Sequence, residues 1–184
     1  MDDATQQRLL RLADRADIID CLARYARGMD RLDRELARSA YHDDAIDDHA
    51  GFVGPVDAFL DWSFAYHRQQ FRHQHYVTNH HIELAGDEAH VETYYLFVAT
   101  ERDPNEPLKV YGGRYVDRFE RRAGRWAIAA RVCLPEWRAE TTVFHPDLGG
   151  AVPLVNVIAE DRTDTSYLRP LVVQSPAAAD AGTK

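Results

Sequence analysis

Cysteine is scarce in this chain, with two residues, Cys21 and Cys133, among 184. Two thiols are too few for a disulfide scaffold and lack metal-binding spacing. They are expected to be buried free cysteines in a reducing compartment. Long apolar runs are missing too, so no segment approaches membrane-spanning length. The first twenty residues, MDDATQQRLLRLADRADIID, are too polar for a signal peptide. Positive charge is the minority sign: 22 Lys and Arg stand against 30 Asp and Glu, for a net charge of −8. The basic residues are scattered among the acids, which excludes the footprint of a duplex-binding protein and of a protein drawn to anionic membranes. The expectation is a cytoplasmic protein with neither nucleic acid nor membrane as partner. No internal repeat is present.

What remains is an ordinary globular composition, 45% apolar and 28% charged, enough for one domain with a good-sized core. Leu9, Leu12, Ala16, Ile19, Leu22, Ala26 and Met29 recur at helical steps and predict a helix over 5–29. Gly28 weakens its end, and Asp30 is placed to cap a short second helix over 31–40. Residues 45–53 read as a strand, and Gly54-Pro55 opens a third helix over 55–70. The pattern then changes. Segments 73–84, 89–101, 109–122 and 125–137 are rich in Val, Tyr, Phe, Ile and Thr, with short polar or glycine connections. They predict a bent antiparallel meander, and helices before strands is the α+β order. The domain is expected over 1–143, followed by an ordered arm (144–174) and a disordered tail (175–184).

Nine histidines are many for this length. The run RHQHYVTNHHIEL places His73 and His75 on one strand face, and HDDAIDDH adds Asp43, Asp44, Asp47, Asp48, His42 and His49. Neither cluster has a recognised metal-ligand spacing, and exposed strand ends account for most of them. No metal is expected. Tyr25 lies on the apolar stripe of the first helix, where it serves either the core or a site, and Asp30 follows at the helix end. Arg131, inside the apolar run RWAIAARVCLPEW, needs a partner or a ligand anion, unless its side of the sheet is wet or lies in a subunit interface.

These words fall in a familiar order. YARGMDRLD at the first helix end, HDDAIDDHAGFVGP before the third helix, HYVTN, and FERRAGRWAI on the last hairpin resemble SnoaL-like members of the nuclear-transport-factor-2-like superfamily over residues 5–140. The resemblance implies a cone of three helices packed on a strongly curved antiparallel sheet (the cystatin-like α+β barrel). It also implies cofactor-independent chemistry. Asp30 and His75 match the family's base dyad, and Arg131, five positions after Trp126, matches an arginine that assists it. Tyr25 stands where a dehydrochlorinase relative has lysine, and resembles instead the tyrosine that accompanies the dyad in a bile acid dehydratase relative.

The expected function is therefore a dehydratase-like lyase acting on a hydrophobic cyclic hydroxy-carbonyl compound, steroid- or polyketide-like. His75 would take a proton from carbon, held by Asp30, with Tyr25 donating to an oxygen and Arg131 balancing negative charge. Phe52, Phe59, Trp62, Tyr76, Tyr95 and Phe97 are expected around the ligand, although the same residues would also make a core. An isomerase or cyclase using the same dyad, and a ligand-binding or accessory protein without turnover, are the alternatives. The apolar outer face of the sheet is expected to be covered in a homo-oligomer, a dimer or trimer. One conflict needs resolving: strict alternation puts His75 out of phase with Ile82 and Leu84, and Arg131 out of phase with Trp126 and Ile128. A bulge in each strand would bring them inward.

Overall fold

A computed structural model describes residues 1–103, 105–142 and 157–172. Helix α1 (Asp3–Asp30) begins on Asp2, whose carboxylate accepts from the Thr5 amide at 2.7 Å. Its buried stripe is Ile18, Cys21, Leu22, Tyr25, Ala26 and Met29. The apolar periodicity expected further upstream is not buried, since Leu9, Leu12 and Ile19 are exposed. Polar contacts hold that half of the helix instead. Asp14 accepts from Trp126 Nε1 at 2.8 Å and from Arg121 at 2.7 Å, and Arg15 donates to the Ile82 carbonyl. Gly28 has a packing role, because a Cβ there would lie 2.4 Å from the Ala37 backbone nitrogen. The absent side chain lets α2 (Arg34–Arg38) close against α1. Asp33, not Asp30, caps α2 by accepting from Leu36, and Asp30 is thereby left for another partner.

Strands β1 (Tyr41–His49) and β2 (Val53–Pro55) precede α3 (Val56–His67). The four long strands follow: β3 (Gln70–Ala85), β4 (Glu88–Glu101), β5 (Leu108–Arg122) and β6 (Arg125–Thr141). They form the expected antiparallel meander, with Ala123 and Gly124 both at positive φ in the last hairpin turn. Strand β1 joins parallel to β6, so the six-stranded sheet is mixed, in the order β2-β1-β6-β5-β4-β3. Three helices pack on one face of this curved sheet, the α+β cone of the nuclear-transport-factor-2-like type. Ile18, Leu22, Met29, Phe59, Leu60 and Phe64 from the helices share a core with Val91, Tyr115, Phe119, Trp126 and Ile128 from the strands.

Both bulges are present. The β3–β4 register shifts between Val77 and His80, and the β5–β6 register shifts where Arg118 faces Ala130 but Phe119 faces Ile128. One extra residue in each strand reverses the facing of everything beyond it. His75 and Arg131 therefore point inward although Ile82 and Ile128 do as well.

Beyond the sheet, residues 157–172 return to the end of α1. The Arg27 guanidinium covers the Tyr167 ring at 4.6 Å, Tyr167 Oη donates to Asp33 at 2.9 Å, and Glu160 lies 3.3 Å from His73 Nδ1. The remainder of the expected arm and the expected tail lie outside the described residues. Cys21 and Cys133 are free and buried, as expected. No described helix is long and apolar enough to cross a membrane.

Candidate active site

Freed from capping, Asp30 accepts three hydrogen bonds from His75. The backbone amide donates to Oδ1 and Oδ2 at 3.0 and 3.1 Å, and ring Nδ1 donates to Oδ1 at 2.6 Å. The pairing fixes the imidazole as the Nδ1–H tautomer, which leaves the Nε2 lone pair as the free basic position. Only 5% of the His75 side chain and 15% of the Asp30 side chain is exposed, so little water competes with the short contact. The ring packs on Phe97 at a centroid distance of 4.7 Å.

His75 faces a cavity of about 310 Å³ lined by Tyr25, Trp62, Tyr95, Phe97, Tyr111 and Tyr115, with His49, Ser63, Tyr66, His67 and Cys133 completing the wall. Of the residues expected there, Tyr25, His75, Trp62, Tyr95 and Phe97 reach the cavity, and Asp30 stands behind His75. Four expected residues do not. Tyr76 is half exposed on the opposite face of the sheet, because it neighbours His75 in a strand of period two. Phe59 is fully buried behind the His49 ring, and Phe52 stacks on Trp62 at 5.6 Å. Arg131 is 1% exposed and already satisfied: Nε and Nη2 bind Asp117 at 2.7 and 2.8 Å, and its guanidinium lies between the Tyr25 and Tyr115 rings at 4.3 and 4.2 Å. Its partner is a protein carboxylate and not a ligand anion, which corrects the role expected for it. Arg131 supports the floor of the cavity through two tyrosines that line it.

The histidine cluster divides by strand phase. His73 donates from Nε2 to the Met29 carbonyl at 3.0 Å and stacks on His67 at 4.3 Å. His67 is bound to Gln70 through Nδ1. Burial, then the neighbouring His75 and His73, depress the His67 pKa to about 2. Burial also lowers His42, His73 and His80. Such groups contribute stability above their unfolded pKa of about 6.5 and lose it as pH falls, since the unfolded chain takes up protons that the folded one refuses. Thermal unfolding measured between neutral pH and pH ~4 should show the transition falling steadily. His67→Gln should flatten that acid limb.

In the strand word HDDAIDDH, Asp43 and Asp44 face solvent, while Asp47 is fully buried and His49 reaches the cavity. His49 Nδ1 lies 3.1 Å from Asp47 Oδ1, and Asp47 Oδ2 accepts from Tyr41 Oη at 2.7 Å. This second pair was not singled out from the sequence. Its signal was the i, i+2 spacing of an acid and a histidine on one strand face.

Residues 10–132 match the family model described as the SnoaL-like domain. The chain belongs to this SnoaL-like family. No curated protein matches it. Among solved structures, this SnoaL-like chain is similar to a candidate scytalone dehydratase from Novosphingobium aromaticivorans (18% identity, 73% of this chain and 91% of that one, TM-score 0.65). It is also similar to a hexachlorocyclohexane dehydrochlorinase, LinA type 2 (23% identity, 76% and 99% covered, TM-score 0.68). The LinA-type3 enzyme of Novosphingobium barchaimii is a further match (22% identity, 75% and 97% covered, TM-score 0.67). At these identities the likeness establishes the SnoaL-like fold.

Proposed function

We propose that the chain is a cofactor-independent lyase of the dehydratase type, in which His75 removes a proton from carbon beside a carbonyl group. The observation that carries this reading is the 2.6 Å His75–Asp30 pair in the wall of a mainly aromatic cavity. The carboxylate holds the ring and stabilises the imidazolium that forms on proton transfer. Burial keeps the Tyr25 and Tyr95 phenols well above their ordinary pKa, so they act as neutral hydrogen-bond donors to a carbonyl oxygen on which charge develops. Names of structural neighbours point the same way, since a dehydratase and a dehydrochlorinase both eliminate.

The substrate narrows on volume. About 310 Å³ lies at the lower end of the ~300–1,000 Å³ typical of small-molecule sites. A compact one- or two-ring hydroxy-ketone suits it better than a four-ring steroid. The test is incubation in D₂O with a panel of cyclic hydroxy-ketones and enones, followed by mass spectrometry. Deuterium uptake with loss of water, both abolished in Asp30→Asn, is the expected result. Uptake without water loss would favour an isomerase, and silence with ligand-raised melting temperatures would favour a binding protein.

The same reading includes self-association. Tyr76, Tyr94, Leu96, Val132, Leu134 and Trp137 are exposed together on the outer face of the sheet. Trp137 lies flat over Gly112, where a Cβ would meet its ring at 2.1 Å. A second copy of the chain covering this face would remove a contiguous apolar patch from water. Light scattering on a sizing column should give a multiple of 21.0 kDa, and Leu96→Glu with Trp137→Glu should return the monomer. A monomeric wild type would refute the association.

A further inference from the structure

The cavity holds a second carboxylate-supported imidazole, and the reaction proposed above leaves one role unfilled. Abstraction of a proton by His75 accounts for the carbon–hydrogen bond. A departing hydroxide still needs a proton, and an effective donor holds its proton at neutral pH with a pKa not far above it. Tyr25 does not qualify, because burial raises its phenol far above neutrality. His67 is held neutral and committed to Gln70.

We infer that His49, held by the buried Asp47, is the acid of the site and gives its proton to the oxygen that leaves the substrate. The inference rests on the lyase reading. Its first support is position: His49 and His75 are both on the wall of the same cavity, carried by β1, second from one end of the curved sheet, and by β3 at the other. Its second support is hydrogen bonding. Nδ1 is directed to Asp47 at 3.1 Å, so a ligand in the cavity would meet Nε2, beside the Cys133 thiol that also bonds this ring.

Charge is the third support. Asp47 and Asp117 are both 0% exposed, and a buried carboxylate needs a counterion. Arg131 is engaged in two short bonds with Asp117 and touches the Asp47 group only through Tyr41 Oη, 3.4 Å from Nη1. An imidazolium at His49 is the nearest balancing charge for Asp47. From the elements packed against it, His49 also meets Cys133 and the Tyr115 ring, and it acts through charge on Asp117 and, across the cavity, on His67. Burial opposes its charging, but the hydrogen bond it donates to Asp47 and the adjacent Cys133 outweigh this and raise its pKa to about 9.

The step balances without a further reactant. His75 Nε2 takes the proton from carbon, and the electron pair of that bond becomes the new carbon–carbon double bond. The carbon–oxygen bond breaks with its pair on oxygen. Nε2–H of His49 protonates that oxygen, and water leaves. His49 ends neutral and His75 charged, and exchange with solvent restores both.

The test reads protonation first and turnover second. Two-bond proton–nitrogen correlation spectra of the protein labelled at histidine nitrogen, with His49 assigned through His49→Gln, should show both ring nitrogens protonated at neutral pH and a midpoint of about 9. Asp47→Asn should lower that midpoint by roughly one unit or more, and Cys133→Ala by less. A neutral His49 ring at neutral pH overturns the inference. In D₂O with cyclic β-hydroxy ketones, His49→Gln should slow water loss about 10²-fold and slow deuterium exchange at carbon far less. The matching β-acetoxy ketones, whose acetate leaves without protonation, should recover most of the loss. Water loss from the hydroxy ketones at the wild-type rate in His49→Gln overturns the acid role and leaves the lyase reading standing. A wild type that neither exchanges nor dehydrates any member of the panel overturns both.

Discussion

His75→Ala is expected to lower turnover of any substrate found in the exchange assay by roughly 10²–10⁴-fold, with little change in the unfolding transition. The size follows from what the imidazole supplies, a positioned base whose tautomer is already set by Asp30. Fold stability should be nearly indifferent, because the ring borders a cavity and its loss enlarges that space without emptying a packed core. Asp30→Asn tests the same pair from behind. The amide oxygen still accepts from the His75 backbone, but its NH₂ faces ring Nδ1 and favours the other tautomer, with the proton on Nε2 where the base is needed. Its rate loss should approach that of His75→Ala and fall on kcat more than on KM, since Asp30 does not line the cavity. Near-wild-type turnover in His75→Ala would reduce the pair to a structural bond between α1 and β3.

How much of this was legible in the sequence depended on where the information lay. Element order was, because apolar periodicity changes sharply near residue 70 from helical to alternating. The pairing of Asp30 with His75 was visible only through resemblance, since two residues 45 apart carry no spacing rule of their own. The need for bulges could be deduced, since His75 and Ile82 could not otherwise share a face, and the register shifts occur in those strands. The second dyad was hidden because HDDAIDDH reads as one acidic stretch until the strand's phase is known. That phase comes from the parallel pairing of β1 with β6, a contact between residues more than 80 apart. Such pairings leave no local trace. The same limit explains Arg131, whose burial was suspected but whose partner Asp117 sits on the neighbouring strand, directly opposite in register.

Asp117→Asn should destabilise the fold by about 3–5 kcal/mol, the usual cost of breaking a buried ion pair from one side. Neither side chain is accessible, and the aspartate makes two of the guanidinium's short bonds. Arginine keeps its charge at any ordinary pH, so removing the carboxylate leaves a cation without a counterion in a dry interior. The stacked faces of Tyr25 and Tyr115 offset only part of that cost, at roughly 1–2 kcal/mol for a desolvated cation over a ring. Urea unfolding at one protein concentration would measure it. The paired replacement Asp117→Leu with Arg131→Met removes both charges and fills similar volume, and should recover most of the loss. That variant also separates stability from chemistry. It takes the nearest cation away from the Tyr41–Asp47–His49 chain and removes the group that holds Tyr25 and Tyr115 in place. A protein that folds well but turns over slowly would assign Arg131 to positioning the cavity floor. Full activity in the folded double variant would confine the ion pair to the core.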